Sequence, residues 1–276
     1  MIELLDYVLD YNDNFWIVLN ITSDGAYGFM IYEKNKNGNR YNKFTKMKYK
    51  KCNDNIVIKI PKYKELYKPR DCFKNHFKEI PSIWKKYVRA LKNVGIDDIG
   101  IYGSFLIGFE TIKDIDFIIY GFDNFKKYRD NIDYIRKYIG ATSITKEHIN
   151  AQYNKHKAFY PNKCDLKKII SRNWSGVELK NGVLSTPRFV IDNYISPIKK
   201  GVDATYEVEI IDDTLSDFVP RRAKAILNGK ELEIISPLWK LQSFARKKDK
   251  LEIYGNYDFD NCVIILDEKK YYIKFI

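Results

Sequence analysis

The chain has 276 residues, 45% of them hydrophobic and 30% charged, which is the profile of a soluble protein with room for two or three modules. Its formal charge of +12 points to an anionic partner, nucleotide or nucleic acid first, although an AT-rich coding bias towards Lys, Ile, Asn and Tyr would raise the charge as well. Cys52, Cys72, Cys164 and Cys262 show no CxxC spacing and are read as reduced, mostly buried thiols, so neither a zinc site nor a disulfide framework is expected; no apolar run approaches a membrane span.

Residues 1–66 alternate short apolar runs with Gly and Asn turns. Phe15 to Leu19 and Tyr27 to Tyr32 read as strands joined by a turn at Gly25, and Ile56 to Ile60 as a third. The result is a small antiparallel β unit whose aromatics belong to a core. The polar run Glu33 to Arg40 reads as a hairpin tip or loop. From Asp71 to Val94 apolar residues recur at helical spacing, with a break at Pro81 and a helix from there to Asn93. Asp123 to Ile139 keeps helical spacing up to Gly140, and further helices are expected at Thr145 to His156 and from Asp165. His148 and His156, eight positions apart, lack the spacing of a metal pair and read as surface residues, and Asn181-Gly182 is a strong hairpin signal. Past residue 200 three strands, a short helix at Pro237 to Ala245 and two or three more strands predict a small closed barrel, OB-like in order. Tyr254, Tyr257 and Phe259 on it are candidate stacking surfaces, though packing is their default use. The modules are therefore drawn at 1–66, 67–200 and 201–276.

The middle module carries the chemistry. Ile99 to Tyr102 reads as a strand, Gly103-Ser104 as a turn, Phe105 as the start of a short helix, and Asp114 to Tyr120 as a second strand. Residues i and i+2 of a strand share a face, so Asp114 and Asp116 project together as two hard oxygen ligands for Mg²⁺ or Mn²⁺. Gly103 allows close approach of a phosphate, Ser104 offers a hydroxyl, and a helix start would aim amides at the anion.

These residues, Gly103-Ser104 followed after nine positions by Asp114-Ile115-Asp116-Phe117, resemble the nucleotidyltransferase superfamily that includes DNA polymerase β and the CCA-adding enzymes. The match covers residues 95–122; Lys113 stands where many members have Ser. A softer likeness in module order is to predicted archaeal nucleotidyltransferases. The resemblance implies an α+β protein with a mixed sheet and helices, flanked by the β-rich N-terminal unit and the C-terminal barrel. It implies Gly103 and Ser104 on the phosphates of a nucleoside triphosphate, Asp114 and Asp116 on the metal, and a third carboxylate from a later strand. Glu178 and Asp192 are the leading candidates for that carboxylate, with Asp165 behind them, and Lys180 and Arg188 are the basic residues nearest the cleft.

The expectation is a cytoplasmic, metal-dependent enzyme that transfers a nucleoside monophosphate to an acceptor hydroxyl, with RNA or DNA as a partner and no membrane. The alternative is a protein that keeps the fold but only binds nucleic acid or assembles with a partner. Nothing in the pattern sets the oligomeric state.

Overall fold

The computed structural model describes residues 1–52, 56–110, 115–159, 163–180, 182, 184–238 and 241–276, with Phe159 and Leu184 by backbone alone. It is an α+β protein whose chain forms two units interleaved in sequence. Residues 1–21, 26–144 and 175–194 make the first, and residues 22–25, 145–174 and 195–276 the second. The N-terminal strands and Asp116 thus fall in one unit, while 145–174 falls with the C-terminal strands.

The first unit opens with a seven-stranded sheet. Its strands are β1 (Tyr7–Asp10), β2 (Phe15–Thr22), β3 (Gly25–Lys34), β4 (Arg40–Tyr41), β5 (Lys48–Lys51), β6 (Ile58–Lys59) and β7 (Tyr63–Tyr67), in the order β4-β5-β3-β2-β1-β7 with β6 on β3. The third apolar stretch pairs over only two residues, Ile58 and Lys59. The aromatics serve as core: Phe15, Tyr49 and Phe109 meet pairwise at ring-centroid distances of 5.2, 5.7 and 6.3 Å, within the range for favourable ring contacts.

Two helices follow, α1 (Pro69–His76) and α2 (Ser82–Asn93), then β8 (Ile99–Tyr102) and β9 (Asp116–Tyr120) as an antiparallel pair. The helical period from Asp123 to Ile139 breaks into α3 (Phe122–Asp130) and α4 (Ile132–Ile139). The side chain of Asn131 donates to the Lys127 carbonyl at 2.9 Å and its own amide turns back to Tyr128, so an Asn competes with the helix for its carbonyls. After β10 (Ala141–Thr142) the unit resumes with β11 (Val177–Leu179), β12 (Leu184–Ser185) and β13 (Arg188–Val190). β11 and β12 pair as the expected hairpin, and β13 lies parallel to β9. Phe117 on one face of β9 packs on Trp84 and Tyr87 of α2, which are fully buried or nearly so. That apolar seam, about 2 kcal/mol per buried ring, anchors the strand that carries Asp116.

The second unit contains α5 (Lys146–His156), α6 (Leu166–Ser171) and the strands β14 (Val202–Asp212), β15 (Phe218–Val219), β16 (Arg221–Leu227), β17 (Lys230–Ser236), β18 (Lys250–Asp258), β19 (Val263–Ile265) and β20 (Tyr272–Phe275). β14, β16, β17, β19 and β18 pair in a ring that β14 closes on β18, with every contact antiparallel except β17 on β19. In chain order the five strands run 1-2-3-5-4-1, the closed OB-like barrel expected from the sequence. Val208, Ile210, Ala225, Ile234, Leu251, Ile253 and Ile264 are buried. Of the short helix expected at Pro237 to Ala245, residues 239 and 240 lie outside the described residues; Leu241 is in 3₁₀ conformation, its amide bonding the Leu238 carbonyl at 3.1 Å, and Phe244 N bonds the Leu241 carbonyl at 3.1 Å, with no α-helix among the described residues. His156, read as a surface residue, is buried instead, and of the four free cysteines Cys72 is the buried one. Among the described residues no helix is long and apolar enough to cross a membrane.

Candidate functional site

The register of β8 on β9 sets Tyr102 opposite Asp116, so the two side chains leave the sheet on the same face. Arg188 of β13 lies level with Ile118, two residues from Asp116, and its Nε donates to the Tyr102 hydroxyl at 3.1 Å. Asp116, Tyr102 and Arg188 therefore share one face, opposite the Phe117 seam.

The chain leaves β8 through Gly103, whose φ of +76° only glycine adopts cheaply. A methyl group there would stand 2.4 Å from Asp116 Oδ2. The carboxylate thus lies directly against the turn, in space any other residue would claim. The Gly103 amide bonds the Tyr7 hydroxyl, and burial first, then the neighbouring Tyr102, Asp116 and Tyr32, push that hydroxyl well above its ordinary range. Tyr7 therefore remains neutral beside Asp116.

The helix expected from Phe105 is absent. Residues 103–108 make a tight series of turns, closed by Ile107 N to Gly103 O at 3.4 Å and Phe109 N to Ser104 O at 3.0 Å. Gly108 has a φ of +80°, and the ring of Phe44 occupies the place of its missing side chain. The chain then bridges Phe109 to Asn42, while Asn42 Nδ2 donates to the Ile107 carbonyl at 2.5 Å. The turn is held by the N-terminal sheet, and no helix dipole points at the site.

Two residues that the sequence reading passed over belong here. Arg40 Nη1 donates to Ser104 Oγ at 2.8 Å and to the Tyr32 hydroxyl at 2.6 Å. Its guanidinium also lies 5.5 Å from the Tyr32 ring centre and 5.4 Å from that of Phe109. Burial raises the Tyr32 hydroxyl above its usual range, Asp116 adding to the rise while Ser104 and Arg40 oppose it. The signal in the sequence was faint: an arginine at the end of a polar run, far from the turn it serves.

The remaining expected residues separate. Asp114, with Lys113 before it, lies outside the described residues. Glu178 is buried on β11 opposite Leu184, one step along the ladder from the Val177 and Ser185 pair. Ser185 Oγ in turn donates to the Ile115 carbonyl at 3.2 Å, so the hairpin is tied to the chain just before β9 through the face opposite the one that carries Glu178. Asp192 does not join it. Val190 lies level with Tyr120, so Asp192, in the turn after β13, falls past the far end of β9, beyond the four residue levels, about 13 Å, that separate Tyr120 from Asp116. There it accepts from Arg70 Nη2 at 2.8 Å. Lys180 is exposed in the β11–β12 turn, and Asp165, in the second unit, accepts the Phe275 amide.

Among the described residues no group of three or more His, Cys, Asp or Glu side chains is placed to hold a metal ion. Asp116 is of the right chemical type for Mg²⁺ or Mn²⁺, a carboxylate held at a turn without a side chain of its own. Comparison with protein-family models, curated proteins and solved structures finds no match to this chain.

Proposed function

We propose that the chain is a metal-dependent nucleotidyltransferase. The observation that carries this reading is the contact of Asp116 with Gly103: a carboxylate suited to a divalent ion abuts a Gly-Ser turn suited to phosphate. When bound, the ion would withdraw charge from the phosphates of a nucleoside triphosphate and from the departing pyrophosphate. Asp116 would hold it, and Asp114, two positions earlier in the sequence, is the expected second ligand. Gly103 lets phosphate oxygens approach the backbone, and Ser104 offers them a hydroxyl. An acceptor hydroxyl attacks the α-phosphorus, the bond to the oxygen that bridges the α- and β-phosphates breaks, and pyrophosphate leaves. The proton of the acceptor passes to a carboxylate, for which Glu178, the buried carboxylate of β11, is the candidate.

A second reading is favoured by the five-stranded ring of the second unit, whose strand order is that of barrels that bind oligonucleotides. On that reading the chain binds RNA or DNA without turnover. Labelled nucleoside triphosphates, offered one at a time with Mg²⁺ or Mn²⁺ and pooled RNA, DNA and cell lysate, separate the two. Incorporation that is lost in Asp116→Asn supports the enzyme. Steeply salt-dependent nucleic-acid binding without any incorporation supports the binder.

A further inference from the structure

The N-terminal sheet does more than cover a core. Its strand β4 carries Arg40 to the Gly-Ser turn, and the chain just beyond fixes that approach: Asn42 bridges Phe109, Lys43 N bonds the Gly108 carbonyl at 2.8 Å, and Glu110 N bonds the Tyr41 carbonyl at 3.2 Å. The guanidinium is held by two neutral hydroxyls, Tyr32 and Ser104, and is flanked by two rings. Among the described residues no carboxylate pairs with it, and its Nε and Nη2 make no hydrogen bond. It is half-buried, so those donors keep a route to solvent. An arginine whose ring flanks and hydroxyl partners leave its charge uncompensated is built to receive an anion, and the planar fork matches phosphate oxygens two at a time.

We propose that Arg40 is the cationic ligand of the polyphosphate tail, so that the N-terminal sheet completes the anion half of the site while β9 supplies the metal half. Ser104 then serves two partners, orienting Arg40 in the empty site and turning to a phosphate oxygen in the filled one. Tyr32 keeps the guanidinium in place throughout. The inference rests on the nucleotidyltransferase reading for the identity of the ligand, but the anion site stands on its own geometry.

Titration calorimetry with inorganic tripolyphosphate, without metal or nucleotide, tests it. The wild-type protein should bind, and Arg40→Ala should weaken binding by about tenfold or more, the loss expected for a charge-assisted bidentate contact. Arg40→Lys should recover only part, because an ammonium lacks the fork. Tyr32→Phe should give a smaller loss with the fold intact, and it carries the test should Arg40→Ala fail to fold. A 5′-hydroxyl oligonucleotide titrated in parallel should show no dependence on Arg40; if it alone does, the site serves a nucleic-acid backbone and the proposal falls. Wild-type protein that ignores tripolyphosphate, or variants that bind it equally well, also overturn it. Labelling that needs Asp116 but not Arg40 would sink this inference alone, whereas Arg40-dependent binding without any transfer would sink only the enzymatic reading.

Discussion

Arg70 of α1 and Arg40 of β4 each lie beside a tyrosine, Arg70 at the Tyr120 end of β9 and Arg40 at the Gly-Ser turn by Asp116, and the two arginines live differently. At the far end Arg70 lies 3.6 Å from the ring centre of Tyr120. It spends its whole fork on carboxylates: Asp98 bidentately at 2.9 and 2.8 Å, Glu3 at 3.1 Å and Asp192 at 2.8 Å. At the near end Arg40, among the described residues, touches rings and hydroxyls only. One cation is neutralised three times over; the other meets no carboxylate among the described residues. Residue type therefore does not mark a site, whereas the failure of charge to be balanced by its own fold does.

The largest effect should fall at the near end. Asp116→Asn is expected to lower transfer on the order of 10³-fold, as loss of a metal ligand would, while urea unfolding shows stability unchanged or slightly raised. A variant that is markedly less stable yet transfers at the wild-type rate would erase the contrast. At the far end the sensitive group is Asp6, which is buried beside Glu3 and Lys68, and desolvation pushes its carboxyl up to about 7. Because the folded value exceeds the unfolded one, its contribution is fully present below about pH 4 and is lost as pH rises towards 7. Asp6→Asn, whose side-chain oxygen still accepts the Glu3 amide, should gain about 4 kcal/mol at pH 8 and nothing at pH 4, read as unfolding free energy across that range.

Gly103→Ala comes next, at about 1–2 kcal/mol for a left-handed non-glycine residue. Its methyl group must also displace the Asp116 carboxylate, so Mn²⁺ affinity should fall further than stability does. Smallest is Arg70→Ala, about 1 kcal/mol by urea unfolding, since its partners are substantially exposed and water screens them once it is gone. Transfer activity should hardly change. Loss of activity without loss of stability in Arg70→Ala would reverse the roles assigned to the two ends.

What could be read in advance follows from how local each signal is. The Gly-Ser turn and the strand of Asp116 lie in one short stretch with alternating apolar residues, and their contact was legible. So was the barrel, because each of its strands carries its own alternation and turn. Arg40 was not, since its partner Ser104 is distant in sequence and its own surroundings are polar. The helix expected after Ser104 had the right apolar residues, Leu106 and Ile107, but the pull of Asn42 and Phe44 on the next few residues decided otherwise. Asp192 and Glu178 looked alike on paper. The pairing tells them apart: the parallel register of β13 on β9 sends Asp192 past the far end, whereas Glu178 sits in the separate β10-β11-β12 ladder.

That register has a temporal side. Ile118 cannot acquire its neighbour until Arg188 has been made, and the chain between them departs at residue 145 to contribute α5 and α6 to a unit whose barrel has not yet been synthesised. At roughly 5 to 20 residues per second, the Asp116 strand waits several seconds on the ribosome with one edge open, and α5 and α6 wait longer still. No single cut yields either unit whole, so a nascent or truncated chain that includes β9 but ends before β13 leaves the β9 edge unpaired, a template for association with another chain.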